Sequence, residues 1–132
     1  MTRFVIDAGA AIELARSRRP VAAGHRLLAP TLLRSQVLSV LHEAVQHGEV
    51  PATSARDLLA LIGRMPIRLL GDGVLRLRAW ELADRLGWAS TYEAEYIALT
   101  QLQADAFVTL DGDLARLVEG IVAIASIDEL SR

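Results

Sequence analysis

Four carboxylates stand where they could share one chemistry. Asp7 closes the apolar run "RFVID", and Asp111 and Asp113 follow the apolar run in "AFVTLDGDLARLV". Glu93 sits in "STYEAEYIALTQ". Carboxylates gathered in one place repel and raise one another's pKa, and a divalent cation relieves that repulsion. Oxygen donors without cysteine or a histidine pair suit Mg2+ or Mn2+, not zinc. The chain has no cysteine, and His25, His42 and His47 show no zinc-motif spacing. The chemistry on offer is therefore that of a bound hard cation.

Each acid also has a structural role open to it. Asp7 could cap the helix that follows it, a position that aspartate favours. "DGD" is turn chemistry, and one cap would account for only one of Asp111 and Asp113. Ser90 and Glu93 have the S-x-x-E spacing of a capping box. Glu95 competes with Glu93. A helical wheel groups Glu93 with Tyr96, Ile97 and Thr100, and Glu95 with Ala98 and Leu102, so periodicity does not choose between them.

The elements that would position these acids alternate in type. "RFVIDA" is a short strand pattern, and a helix follows through Ala11, Ile12, Leu14 and Ala15 until the cluster "SRRP" stops it. "HRLLAP" reads as a second strand. Pro30 can open a long helix with the apolar stripe Leu33, Val37, Val40, Leu41 and Ala44, which Gly48 would end. "TSARDLLALIGRM" is helical, with Thr53 or Ser54 as its cap, and "IRLL" is a weak strand. Asp72 can cap "GVLRLRAWELADRLG", which Gly87 would close. "STYEAEYIALTQLQ" is apolar nearly all round and is expected to be buried. "AFVTL", "DLARLVE" and "IVAIA" complete the alternation. The pattern predicts an α/β fold: a single domain over residues 1–132, with about five parallel strands and helices on both faces. Ligands of such sheets sit beyond the carboxyl ends of the strands, where Asp7 and Asp111 both fall.

Composition removes other classes. With 52% hydrophobic residues and a net charge of −2, the chain is neither disordered nor a general polyanion binder. All 14 basic residues are arginine, which excludes any mechanism that needs lysine, including that of a phosphorelay receiver. P-loop, dinucleotide-fingerprint and nucleophile-elbow motifs are missing. "MTRFVIDAGA" reads as neither signal peptide nor membrane anchor, so the expected setting is the cytoplasm, with no membrane.

In their order and spacing, "FVIDAGAAIEL", "LLAPTLLRSQVLSVLHEAVQHGEV", "STYEAEYIALTQ" and "AFVTLDGDLARL" resemble the PIN domain, specifically VapC-type toxins of toxin–antitoxin pairs. The resemblance covers nearly the whole chain. It implies a PIN-like five-strand parallel sheet and a ribonuclease working with one or two Mg2+ or Mn2+ ions. It places the first acid on Asp7, the third on Glu93 and the last on Asp111, with Asp113 as an auxiliary ligand. Thr109 matches the hydroxyl residue before the late aspartate, or is a structural strand-end threonine. The second acid, usually glutamate, is Gln36 here, at the edge of the apolar stripe and expected to face a partly enclosed site. Its amide oxygen could ligate a cation weakly but brings no charge. Glu43 lies two turns on, displaced by roughly 10 Å. Arg16, Arg18, Arg19 and Arg34 are candidates for holding RNA phosphates, since an acidic pocket alone repels RNA. The implied partners are an RNA substrate, a cognate VapB-like antitoxin and a second copy in a homodimer, with "LLALIGRMPIRLL" as a candidate interface. Two alternatives stay open: a catalytically impaired binding module, kept alive by Gln36, and a housekeeping PIN ribonuclease.

Overall fold

The apolar runs form strands that are covered on both faces. The computed structural model describes residues 1–132. The strands are β1 (Thr2–Ile6), β2 (His25–Pro30), β3 (Ile67–Leu70), β4 (Ala106–Val108) and β5 (Ile124–Ala125). Between them run α1 (Ala8–Ser17), α2 (Leu32–Gln46), α3 (Ala52–Arg64), α4 (Gly73–Leu86), α5 (Tyr92–Gln103) and α6 (Gly112–Val118). The sheet order is β3-β2-β1-β4-β5, and every pairing is parallel. Phe4, Val5 and Ile6 of β1, Leu27 to Pro30 of β2 and all of β4 are buried without alternation. That is the signature of strands with helices on both sides. The edge strand β3 instead exposes Arg68.

The chain steps outward from β1 to β2 and β3, then crosses back to β4 and β5. Right-handed crossovers send the outward helices to one face and the returning ones to the other. Accordingly α1, α2 and α3 pack on one another, while α4 packs on α5, which lies across β1, β2 and β4. The direction of travel reverses between β1 and β4, which is where an open sheet forms its binding crevice.

Several boundaries differ from the sequence reading. Pro30 ends β2, paired with Leu70, and α2 starts at Leu32. The β1 pairing of β2 ends at Leu28, so the missing Pro30 donor leaves no partner unmet. Val40, expected in the buried stripe of α2, is 47% exposed. Helix α3 starts after Pro51, which turns the chain before Thr53 or Ser54 could cap it. The Ser90–Glu93 capping box does not form, because α5 begins at Tyr92 behind Thr91 and Glu93 falls one position short. The same S-x-x-E spacing does form a capping box at Ser126. There Glu129 accepts from the Ser126 N–H at 2.6 Å and starts a closing 3₁₀ turn, Ile127–Ser131. Other signals read as expected: Asp72 Oδ1 accepts from Leu75 N–H at 2.9 Å, and Gly87 closes α4 with a φ of 71°.

Candidate active site

The register of the two central strands determines the site. β1 and β4 pair as Phe4 with Ala106, Val5 with Phe107 and Ile6 with Val108. One step further, Asp7 lies beside Thr109. The Thr109 hydroxyl donates to Asp7 Oδ2 and accepts from the Asp111 backbone N–H at 3.1 Å. One threonine thus ties the two strand-end acids together.

Both acids also cap helices. Asp7 Oδ1 accepts from Ala10 N–H at 2.9 Å at the start of α1. Asp111 Oδ1 accepts from Asp113 N–H and Leu114 N–H, both at 3.1 Å, at the start of α6. The choice between cap and functional acid is therefore not exclusive. Each carboxylate meets the positive end of a helix, which offsets part of their repulsion. Burial pushes the Asp7 carboxyl above its ordinary range; the bonds from Thr109 and Ala10 oppose that rise, and the Asp111 charge adds to it.

Asp7, Glu93 and Asp111 open on one cavity of about 350 Å³. Glu93 enters from the first turn of α5. From α2 the wall is Gln36, Ser39, Val40 and Glu43, spaced i, i+3, i+4 and i+7 along one helical face. The cavity therefore runs as a trench for roughly 10 Å along α2. Glu43, expected to stand apart by its helical rise, and Ser39 both reach this wall; the Ser39 hydroxyl donates to Glu43 Oε2 at 2.9 Å. Tyr96 was missed, although the helical wheel had grouped it with Glu93. Its phenol donates to Gln36 Oε1 at 2.5 Å. Burial, with the charges of Asp7 and Glu95, pushes that phenol upward and keeps it protonated.

Other candidates lie elsewhere. Asp113 is not brought into the cavity; it is exposed and pairs with Arg116. Arg16, Arg18 and Arg19 stand at the far end of α1, about 15 Å down a helix that starts at the site. Arg16 pairs with Glu13, and Arg19 pairs with Asp128. A helix after a parallel strand runs back toward the strand's start, which carries these arginines away from the acids. Arg34 lines a separate apolar cavity between α2 and α3. Arg116 lies nearer the acids, on the helix that Asp111 caps, and pairs with Asp113.

Glu95 does not line this cavity; it is half-buried, and that burial raises its pKa. Glu93→Gln is expected to weaken Mg2+ or Mn2+ binding more than Glu95→Gln does. Titration calorimetry of both variants checks this, and the reverse order would move the ligand to Glu95.

The chemistry of the lining suits a hard cation: carboxylate oxygens, with no thiolate or imidazole. As they stand, no three of the chain's acids and histidines form a group that could hold a metal ion.

No family model matches the chain. Over 111 residues it is 31% identical to VapC ribonuclease Mb0985 of Mycobacterium bovis, covering 82% of this chain and 85% of that protein. Ribonuclease VapC9 of Mycobacterium tuberculosis matches with the same 31% identity and the same coverage. Among solved structures, the crystal structure of PAE2754 from Pyrobaculum aerophilum has a TM-score of 0.75 at 21% identity, over 98% of this chain and 92% of that one. That last likeness is one of fold.

Proposed function

The chain belongs to the VapC ribonuclease family, and from that premise we propose that it is a metal-dependent endoribonuclease toxin of a type II toxin–antitoxin pair. It would hydrolyse RNA phosphodiester bonds in the trench along α2. The observation that carries this reading is the convergence of Asp7, Glu93 and Asp111 on one cavity at the reversal point of the sheet.

Asp7, Glu93 and Asp111 would hold Mg2+ or Mn2+. When bound, such an ion activates water as a nucleophile and stabilises charge on the phosphodiester oxygens. Thr109 fixes the rotamer of Asp7, and the cap bonds fix Asp111, so two of the three acids are preorganised. Arg116, on the helix that Asp111 caps, would meet a phosphate and offset the repulsion between RNA and the acids once released from Asp113.

The proposal includes a VapB-like antitoxin and a homodimer. Its support is the exposed apolar surface. Val74, Leu77 and Trp80 of α4 are each more than 60% exposed at helical spacing, and such a stripe marks a protein contact. The segment "LLALIGRMPIRLL" is partly buried against the core instead. No helix is long and apolar enough to cross a membrane; a cytoplasmic setting belongs to the same proposal.

The test is an RNA cleavage assay on purified protein, with Mg2+ or Mn2+ against a chelator. Cleavage is expected only with the ion. Cleavage that persists in chelator and in an Asp7→Asn control would overturn the reading. The neutral Gln36 favours a second reading, a binding module without turnover; binding of RNA or antitoxin with no cleavage at any ion concentration would establish it.

A further inference from the structure

Gln36 is neutral among carboxylates, and a neighbour fixes its orientation. The 2.5 Å separation from Tyr96 Oη to Gln36 Oε1 suits O–H···O and is shorter than the usual N–H···O range. The phenol is therefore the donor and the amide oxygen the acceptor. Tyr96 has little freedom to do otherwise. Its ring is buried and tilted against Phe107, with centroids 6.2 Å apart. With Oε1 turned toward the phenol, the planar amide presents its NH2 group on the other side. The only buried side-chain polar atom without a partner is His25 Nδ1. The Gln36 NH2 group bonds to no protein atom, so it is open to the cavity that Gln36 lines. An amide NH2 has two donors and no acceptor. It cannot coordinate a cation, but it can meet an anionic oxygen.

We propose that Gln36 donates a hydrogen bond to a phosphate oxygen of bound RNA instead of ligating a cation, and that Tyr96 is the positioning residue that sets the amide in that sense. This rests on the ribonuclease reading above. The trench then has two zones. Asp7, Glu93 and Asp111 take the cation, and Gln36 on the α2 wall meets the strand.

The test combines Mg2+ calorimetry with cleavage kinetics on a random-sequence RNA pool, for the natural protein, Gln36→Ala, Tyr96→Phe and the double variant. Gln36→Ala should keep its Mg2+ affinity within about twofold and raise KM for RNA about tenfold, the scale of one hydrogen bond to a charged group. Tyr96→Phe should raise KM less and leave kcat nearly unchanged. In the Gln36→Ala background it should add nothing, since it acts through the amide. A tenfold loss of Mg2+ affinity in Gln36→Ala would make the amide oxygen a ligand and overturn the proposal. Unchanged KM with unchanged Mg2+ affinity would overturn it too, as would additive effects for Tyr96. If the natural protein does not cleave, the ribonuclease reading fails separately. The same ratio is then read from the dissociation constant of the uncut pool in Mg2+. A loss on Gln36→Ala supports the donor, and no loss or no binding refutes it.

Discussion

Asp7→Asn and Asp111→Asn should each lower RNA cleavage by at least about a hundredfold while the fold persists, since charge at a catalytic cation site contributes several kcal/mol. Survival of the fold follows from the caps. Asparagine caps as well as aspartate, so the bonds to Ala10, Asp113 and Leu114 have acceptors in both variants. Asp7→Asn carries a further expectation. Burial raises the Asp7 carboxyl, so the folded state disfavours its charge. For a raised pKa, the favourable contribution is present below the unfolded value and lost as pH rises through the folded one. Without divalent ions, Asp7→Asn should therefore melt higher than the natural protein at neutral pH, and the gain should vanish in acid. Thermal melts in chelator across pH, run beside the cleavage assay, measure both. A variant that cleaves normally would remove Asp7 from the chemistry; one that melts lower at neutral pH would mean that the charge is not under strain.

Gln36→Glu should shift the ion requirement and the RNA requirement in opposite directions. The side chain keeps its length, one carboxylate oxygen can still accept from Tyr96, and the other brings negative charge to the trench. A charge within about 10 Å of a divalent ion is attracted by on the order of 3 kcal/mol at an effective dielectric of 20, before the cost of repulsion among the acids. The net expectation is a fall of about tenfold in the Mg2+ or Mn2+ concentration for half-maximal cleavage. With the amide donors gone and a charge facing phosphate, KM for RNA should rise. The added charge should also lower the melting temperature in chelator and enlarge the gain on adding ion. Cleavage against ion concentration, with melts, checks all three. An unchanged or higher ion requirement would place Gln36 outside the reach of the bound ion.

What was legible in the sequence followed from local chemistry. The apolar runs ending in Asp7 and Thr109 marked the strands, and parallel pairing then set those two residues side by side. Gln36 and Glu93 needed the spacing of the whole chain, because neither the α2 face nor the first turn of α5 carries a local signal. For the arginines, direction matters more than sequence distance. Arg16 to Arg19 are close to Asp7 in sequence, but α1 carries them back toward the opposite ends of the strands. Glu43 was set aside for its helical rise. That distance proved to be the length of the trench, not a separation from it. Tyr96 read as core, and by burial it is; only its hydroxyl reaches the site.

The strand order carries a consequence for synthesis. β1 is made first, yet its central neighbour β4 comes about a hundred residues later, and the chain builds β2 and β3 in the interval. Until then Asp7 has neither Thr109 to hold it nor Asp111 to face. A ribosome still holding the C-terminal residues of this chain carries an incomplete nuclease beside its own RNA. The topology orders the assembly: the paired acids come together only after β4 and Asp111 have been made, so every shorter nascent chain lacks the site.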